Sequence, residues 1–421
     1  MEAADEVAET TAANGIPVVL ETTPFFQSVS FGIWIKSGSR DEADDKSGLF
    51  HFLEHLVFKG TPTRTASSIA MEIDTLGGHI DAFTSREVTC YFGHVLTERL
   101  DQAFDLVADI MLNSSFPAEE VGRERQVILE EIRMGEDNPS DHIHDRLYPV
   151  RWGHHPLGRP ITGVADTVNA IDREDLIKAR ERFYRPPNIV VTACGDVKPD
   201  EFTKLVDRYF GHLEHVETHR ELSTPRLEPT LKVIERPLEQ VHMLVAMPGL
   251  PMTHEKRHSL GVLNTIFGGG VSSRLFQRVR EERGLAYSIY SFYDQYIDTG
   301  LFGVYAACSK PQLKNGWGAI LKEIKAIVQN PPTENEVKRA KTMGADNLKM
   351  SFESLSSRTT QMAHQKLYHK RLLSLDEMLD DLMSVSAESV RDLANELFTG
   401  EDYTILALGP VKENELEWLS P

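Results

Sequence analysis

Cysteine is scarce in this sequence: its 421 residues contain only three, Cys90, Cys194 and Cys308. They are widely separated in apolar surroundings and show none of the paired spacings of a disulfide framework or a metal-thiolate cluster. Proteins of reducing compartments rarely carry disulfide bonds. We therefore expect three buried free thiols in a reducing compartment, and neither disulfides nor a cysteine metal cluster.

Positive charge and long apolar runs are also lacking. The chain has 45 Lys and Arg against 64 Asp and Glu, a formal net charge of −19, which argues against a nucleic-acid surface and against docking on anionic lipid. The same charge is compatible with attraction of basic peptides, although an acidic balance usually reflects solubility alone. No stretch approaches the roughly 18 apolar residues of a membrane span, and residues 1–6 lack the basic and apolar regions of a signal peptide. We expect a cytoplasmic protein with no nucleic-acid or membrane partner.

Potential metal ligands are concentrated in residues 48–58. His51, Glu54 and His55 occupy positions i, i+3 and i+4 of a predicted helix, so they share one face and both imidazoles can reach a single ion. The order His-x-x-Glu-His is the inverzincin motif. Zn²⁺ binds neutral imidazole nitrogens, and a catalytic site leaves one position for water, whose proton a nearby carboxylate can accept. Because 16 histidines also allow a chance match, the motif indicates a zinc site without proving one.

A zinc site needs a third ligand from another part of the chain. The predicted helix 118–134 offers Glu124 and Glu131, which are seven residues apart and share a face, whereas Glu130 points about 100° away. A solvated charged helix explains the same pattern without a metal. The residues alone therefore leave both explanations of this helix open.

Chain length and periodicity predict the fold class. A chain of 421 residues, 41% hydrophobic and 26% charged, has material for two globular domains of about 200 residues each. Alternation and turn signals predict strands at 16–21, 29–35, 79–83, 88–95 and 188–194. Helical periodicity predicts helices at 48–58, 67–76, 97–112, 118–134 and 173–183. This mixture is typical of an α+β sandwich, a mainly antiparallel sheet with helices packed against it.

The same architecture is predicted to start again after a polar, proline-containing stretch, 217–229, which is the best linker candidate. This linker separates a first domain, 1–216, from a second, 230–421. Residues 189–198 and 403–412 are similar at an offset of 214, and each is a predicted strand ending in Gly-x-Val-Lys. The repeat indicates an internal duplication.

The duplication bears on the metal site. Aligning residues 48–58 with the segment that ends at residue 267 sets Leu260, Leu263 and Asn264 in the places of the first histidine, the glutamate and the second histidine. Leucine does not bind metal ions through its side chain. We therefore expect zinc only in the first domain.

The motif and its surroundings resemble the M16 (pitrilysin-like) metallopeptidases. Residues 48–61 read Gly-x-x-His-Phe-Leu-Glu-His-x-x-Phe-Lys-Gly-Thr, and Glu131 follows. The most similar branch is the small-subunit one, with bacterial processing peptidases and the mitochondrial processing peptidase β-subunit. The resemblance continues, in the family's order, through 76–87, 156–161, 272–276 and 280–287. It implies the LuxS/MPP-like metallohydrolase fold: two similar α/β-sandwich domains, the first binding zinc and the second not.

The resemblance also implies a zinc site and a mechanism. It assigns His51, His55 and Glu131 as the zinc ligands. Glu54 falls on the family's catalytic base, which takes a proton from zinc-bound water as this attacks a peptide carbonyl and passes the proton to the leaving amine. Glu124 falls on a family glutamate that orients a ligand by hydrogen bonding.

A further pair lies in the second predicted domain. The resemblance assigns Arg280 and Tyr287 to the family's Arg/Tyr pair, which helps to hold substrate and stabilise the oxyanion. From the residues alone, a surface arginine and a core tyrosine are the plainer explanation. Longer members of the family carry the zinc and the Arg/Tyr pair in different domains of a four-domain clamshell. A two-domain chain with both motifs implies a homodimer in which Arg280 and Tyr287 of one subunit complete the zinc site of the other.

The resemblance indicates two places for substrate. Six residues match the family's exposed edge strand, to which an extended peptide adds by main-chain hydrogen bonds: Gly78, His79, Ile80, Asp81, Ala82 and Phe83. An ordinary interior strand explains these residues as well. Asp141 and Asp145 fall where processing peptidases place acidic residues that hold a substrate arginine. Aspartates at the start of a helix also serve as caps and favour the helix dipole.

The function implied is a zinc-dependent endopeptidase that hydrolyses peptides or unfolded segments in an enclosed dimer chamber. The alternative, from a different class, is a non-catalytic scaffold or assembly subunit, or a heterodimer partner, as some relatives of this family have become. Loss of ligands would be the signature of that alternative, and none of the implied ligands is missing here.

Overall fold

The computed structural model describes residues 7–218, 220–225, 229–400 and 402–419. The strands are β1 Val7–Thr11, β2 Pro17–Thr22, β3 Ser28–Ile35, β4 His79–Thr84, β5 Thr89–Leu96, β6 Ile189–Gly195, β7 Thr230–Glu235, β8 Gln240–Pro248, β9 Ser288–Gln295, β10 Gly300–Ser309 and β11 Thr404–Gly409. The α-helices are α1 Leu49–Val57, α2 Ala66–Leu76, α3 Leu100–Asn113, α4 Ala118–Asp137, α5 Pro139–Trp152, α6 Ala165–Ala170, α7 Arg173–Phe183, α8 Pro199–Phe210, α9 Arg257–Phe267, α10 Leu313–Gln329, α11 Glu334–Ser351, α12 Leu355–His364, α13 Leu375–Met383 and α14 Ala387–Phe398. Two π-helical segments are Phe276–Glu281 and Gln365–His369. The 3₁₀ turns are Ser39–Asp41, Asp44–Lys46, Thr97–Arg99, Pro156–Gly158, Pro186–Asn188, Lys310–Gln312, Glu413–Glu415 and Glu417–Leu419.

Unit 1 contains the described residues within 1–134, 159–221 and 351–372. Its sheet has six strands in the order β1-β2-β6-β3-β5-β4, with β2 and β6 parallel and the other neighbours antiparallel. Helix α12 packs on β3 and β6. There Arg358 forms a buried ion pair with Glu21, and Thr359 Oγ1 donates a hydrogen bond to the Ser30 carbonyl oxygen at 3.3 Å.

Unit 2 contains the described residues within 135–158, 222–350 and 373–421. Its sheet has five strands in the order β7-β11-β8-β10-β9, and only the β7–β11 pair is parallel. Helix α5 packs on this sheet because its buried Ile143 and Leu147 meet Leu244 and Leu406. Both units are mixed sheets with helices packed on them, as the α+β prediction requires.

The two units do not follow the linear division expected from the sequence. The strands of the first sheet all precede residue 217 and those of the second all follow residue 229. However, α5 belongs to unit 2 and α12 to unit 1, so each half of the chain gives one helix to the other half's sheet. Within the predicted linker, 217–229, residues 219 and 226–228 lie outside the described residues. Arg220 is held in unit 1 by Asp41, at 2.7 Å.

The internal duplication is visible in the topology. Strands β2-β6-β3-β5-β4 of unit 1 and β7-β11-β8-β10-β9 of unit 2 have the same order and the same parallel or antiparallel pairing. Gly195 and Gly409, which end equivalent strands, have φ of 144° and 152°. A Cβ atom would lie 2.4 Å from the Ser28 carbonyl oxygen in the first case and 2.7 Å from the Gln240 carbonyl oxygen in the second. Both positions therefore require glycine, for the same reason.

Two expectations drawn from composition can be compared with the structure. All three cysteines are buried free thiols, as expected. Among the residues described, no helix combines the length and the apolar composition that crossing a membrane requires.

Candidate metal centre

Helix α1 is fixed at its start by a glycine and a buried carboxylate. Gly48 precedes the helix with a φ of 95°, and a Cβ there would lie 2.7 Å from the Thr162 carbonyl oxygen. The Glu42 carboxylate accepts hydrogen bonds from the Gly48 and Phe50 backbone N–H groups, both at 2.9 Å. Burial raises the pKa of Glu42 to about 8, against the effect of those two hydrogen bonds. Five apolar residues of the helix are buried, namely Phe50, Phe52, Leu53, Leu56 and Val57.

The remaining face of α1 and the facing side of α4 bring three potential ligands together. His51 Nε2 lies 3.7 Å and His55 Nε2 3.5 Å from Glu131 Oε2. The three side chains form a group whose ligand atoms all lie within 4.8 Å of one another. The two nitrogen–oxygen distances are long for hydrogen bonds. They are close to the separation of about 3.3–3.6 Å between ligands on a tetrahedral zinc ion with bonds of about 2.0–2.2 Å. The two imidazoles and one carboxylate therefore fit zinc.

The electrostatics of His51 suit a metal ligand. Burial, with a smaller contribution from His55, lowers the pKa of His51 to about 4. Its imidazole is therefore neutral near pH 7, which is the form that binds metal ions. His51 Nδ1 is buried and has no hydrogen-bond partner among the described residues.

His55 has a partner on the side away from Glu131. Its Nδ1 lies 3.2 Å from Glu124 Oε2, and Glu124 is itself buried. The other Glu124 oxygen, Oε1, lies 2.8 Å from Lys59 Nζ. The sequence prediction placed Glu124 beside a ligand, and the structure brings it to His55. The sequence prediction gave no role to Lys59, although this lysine lies within the stretch that resembles the family.

Glu54 lies between His51 and His55 in the sequence. Its carboxylate is held by a residue outside α1. Thr84 Oγ1 donates a hydrogen bond to Glu54 Oε2 at 2.9 Å. Burial raises the pKa of Glu54, and the Thr84 hydrogen bond opposes that rise. A partly desolvated carboxylate is a stronger proton acceptor than one in water, so the environment suits a general base. The sequence analysis did not select Thr84. Its position directly after the predicted edge strand was the one feature that could have indicated a role.

The Thr84 contact leads to a prediction about Glu54. We expect Thr84→Val, which replaces the hydroxyl by a methyl group, to lower kcat for peptide cleavage about tenfold, because a hydrogen bond to a charged group contributes on the order of 1.5 kcal/mol. KM and zinc content are expected to stay as in the unmodified chain. Steady-state kinetics and metal analysis check this result, and an unchanged kcat would show that Thr84 does not position Glu54.

The predicted substrate strand, residues 78–83, is an edge strand in the structure. Strand β4 pairs only with β5 and ends the sheet. Its alternate side chains divide into two sets: Ile80 and Ala82 are buried, whereas His79, Asp81 and Phe83 are exposed. Gly78 precedes the strand with a φ of 96°, and a Cβ there would lie 2.2 Å from the His94 carbonyl oxygen. The other edge of β4 is not paired with any described strand.

Arg280 and Tyr287 lie near each other in unit 2, whereas the three ligand candidates lie in unit 1. Arg280 is on the π-helical segment Phe276–Glu281, and Tyr287 directly precedes β9. The guanidinium carbon of Arg280 is 5.9 Å from the centre of the Tyr287 ring and 4.6 Å from that of Phe276. The Tyr287 side chain is 74% exposed, so it is not the core tyrosine that the plainer explanation required.

Asp141 and Asp145 are exposed residues of α5, which belongs to unit 2. Asn138 caps this helix by accepting from the Ser140 N–H at 3.0 Å, and its amide donates to Asp141 Oδ2 at 2.7 Å. Asp141 thus takes part in the helix N-terminus, as the capping explanation requires. The arginine-binding role stays a prediction.

The counterpart helix of unit 2, α9, lacks the candidate metal ligands. Leu260 and Leu263 are fully buried in the core, and Asn264 Oδ1 accepts a hydrogen bond from Ser291 Oγ at 2.7 Å. In the part of unit 2 that the structure describes, no group of three His, Cys, Asp or Glu side chains resembles the one formed by α1 and α4.

Two family profiles match consecutive parts of the chain. The sequence profile described as insulinase (peptidase family M16) matches residues 17–164, and the profile of the peptidase M16 inactive domain matches residues 170–343. A Bacillus subtilis protein named as an uncharacterized zinc protease is 37% identical over 400 residues, 95% of this chain and 97% of its own. A Streptomyces coelicolor protein with the same description is 38% identical over 417 residues, 97% of this chain and 91% of its own.

A solved structure has a similar fold. It is described as the peptidase M16 inactive domain from Pseudomonas fluorescens, with a TM-score of 0.91 and 20% sequence identity over 96% of this chain and 98% of that one. The fold places the chain in the class of α+β proteins with a duplicated sandwich. Within that class, the chain belongs to peptidase family M16.

Proposed function

We propose that the chain is a zinc-dependent endopeptidase that cleaves peptides or unfolded segments. The observation that carries the proposal is the convergence of His51, His55 and Glu131 beside the partly buried Glu54. The naming of the relatives as zinc proteases supports it. The proposal requires stoichiometric zinc and zinc-dependent cleavage of an internally quenched peptide.

In this proposal the residues of the site have three different roles. His51, His55 and Glu131 would hold the zinc ion, which when bound lowers the pKa of water and polarises a carbonyl. Glu54 accepts a proton from the attacking water and delivers it to the leaving amine nitrogen. Thr84 keeps the Glu54 carboxylate turned toward β4.

Strand β4 is the proposed binding place for the substrate backbone. An extended peptide that pairs with the free edge of β4 gains main-chain hydrogen bonds that do not depend on its sequence. Thr84 ends β4 and contacts Glu54, so a peptide on this edge runs toward the base. Such binding suits peptides and unfolded segments, because folded proteins rarely offer an unpaired strand.

We further propose that the chain acts as a homodimer. Arg280 and Tyr287 form a cation–π pair with an exposed tyrosine, and a guanidinium with a phenol can stabilise developing negative charge. In this proposal the pair of one subunit serves the zinc site of its partner. The family resemblance supports the arrangement.

Mixing inactive variants tests the homodimer. We expect Glu54→Gln and Arg280→Ala each to be inactive alone. After subunit exchange, the mixture should recover about one quarter of wild-type activity, because half of the dimers are hybrids with one intact site out of two. Quenched-peptide cleavage measures the recovery.

The matched control is a mixture of Glu54→Gln with Glu131→Gln, which places both changes in the zinc-holding half of the site. That mixture should stay inactive. If the first mixture also stays inactive after subunit exchange has been demonstrated, the pair does not act in trans.

A further inference from the structure

We propose that Lys59 is a positioning residue for the metal centre, acting through Glu124 on His55. Three groups form a continuous chain of contacts: Lys59 Nζ is 2.8 Å from Glu124 Oε1, and Glu124 Oε2 is 3.2 Å from His55 Nδ1. The inference rests on the proposed zinc site. It extends that site to a residue with no direct access to the metal.

The chain of contacts sets the orientation of one imidazole. A carboxylate can only accept hydrogen bonds, so the hydrogen that joins His55 to Glu124 belongs to His55 Nδ1. The lone pair of His55 is then on Nε2, the atom that faces Glu131 at 3.5 Å. Partners of this kind fix the tautomer and the ring orientation of metal-binding histidines. His51 Nδ1 has no such partner among the described residues. Of the two imidazoles, His55 is therefore the one that a carboxylate orients.

Lys59 is suited to holding Glu124 in place. The Glu124 side chain is only 9% exposed and that of Lys59 30%, so solvent screens their attraction less than that of a surface pair. Within the described residues, Lys59 is the only lysine or arginine that pairs with Glu124. Lys59 also follows α1 directly after its C-cap residue, Phe58. The lysine therefore ties the end of the histidine-bearing helix to α4.

Unit 2 provides an internal comparison. Helices α1 and α9 align at Phe58 and Phe267. Helices α4 and α11 align at Val121 and Val337, because the N–H group of each of these valines makes the first i→i−4 hydrogen bond of its helix. In these alignments the three members of the chain are replaced together: Asn264 stands for His55, Ala340 for Glu124 and Gly268 for Lys59.

Gly268 leaves no room for a lysine at the position of unit 2 that is equivalent to Lys59. A Cβ on Gly268 would lie 2.3 Å from the Ser291 backbone nitrogen. The repeat without a metal-ligand set thus has neither the lysine, nor the carboxylate, nor the imidazole.

The experiment measures zinc affinity of the full-length protein by competition with a chromophoric chelator, without any peptide substrate. We expect Lys59→Met to weaken zinc binding about tenfold, the lower end of the effects of partners behind a metal ligand. Lys59→Arg keeps the charge and should stay within about threefold of the unmodified protein. Lys46→Met is the matched control, because it breaks another lysine–carboxylate pair in unit 1, with Asp175 at 2.6 Å, and should leave zinc affinity unchanged.

A double variant tests whether Lys59 acts through Glu124. In a Glu124→Gln background, Lys59→Met should have little additional effect on zinc affinity, since the carboxylate it holds is gone. Wild-type zinc affinity in Lys59→Met, or a full additional loss in the double variant, would overturn the role of Lys59 while leaving the zinc site intact. Absence of zinc binding by the unmodified protein would overturn the proposed metal centre itself.

Discussion

Glu54→Gln is expected to abolish most peptide cleavage while leaving zinc in place. General acid–base catalysis contributes about 10²–10⁴-fold to rates, and glutamine has the shape of glutamate without its proton affinity. The amide oxygen of glutamine can still accept the hydrogen bond from Thr84, which is 2.9 Å from the Glu54 carboxylate. The loss should therefore appear in kcat, with zinc content equal to that of the unmodified protein.

Two measurements on the same preparation check this result. Metal analysis reports whether the centre is occupied, and cleavage of an internally quenched peptide reports the rate. If Glu54→Gln keeps wild-type activity, the base lies elsewhere. If it loses both zinc and activity, Glu54 holds the site together and no conclusion about proton transfer follows from the rate.

Glu131→Gln is expected to remove zinc and, with it, activity. Glu131 Oε2 lies within 3.7 Å of both histidine Nε2 atoms, and a neutral amide is a much weaker zinc ligand than a carboxylate. We expect zinc affinity to fall by at least about 10²-fold, the upper end of the effects of groups that only support a ligand. Chelator competition measures the affinity directly.

Glu130→Gln is the matched control on the same helix. Its side chain is 64% exposed and pairs with Arg133, so the variant removes one negative charge beside Glu131 without touching the site. Zinc affinity should stay at the wild-type value. Equal losses in both variants would attribute the effect to the charge of α4 and would contradict a ligand role for Glu131.

Local sequence patterns predicted the helix that carries the histidines, because a period of 3.6 residues determines which side chains share a face. These patterns alone could not identify Glu131 as the third candidate ligand. It lies 76 residues beyond His55, and the packing of α4 against α1 is a tertiary fact that helix spacing does not contain. The resemblance to a family, and not the periodicity, selected Glu131.

The exchange of α5 and α12 between the two sheets shows a second limit. An amphipathic pattern shows that a helix buries one face, but it does not indicate which sheet covers that face. The buried contact of Arg358 with Glu21 joins residues more than 300 positions apart. The predicted boundary at 217–229 lies between the strands of the two sheets, but it does not separate these two helices according to the sheets that they cover.

The contacts that support the site were the hardest to foresee. Thr84 and Lys59 are common polar residues, and their importance depends on distances of 2.9 Å and 2.8 Å to Glu54 and Glu124. A hydrogen bond between residues 30 or 65 positions apart leaves no periodic pattern in the sequence. Only the fold brings these groups together.

Titration of the metal-free protein with zinc tests the central claim most directly. The rate of quenched-peptide cleavage should rise in proportion to added zinc and stop rising at one equivalent per chain, because unit 1 has one group of three candidate ligands and the described part of unit 2 has none. Glu131→Gln should show no rise over the same range. A protein that binds one equivalent of zinc and still fails to cleave extended peptides, or one that cleaves them equally well without zinc, would contradict the account.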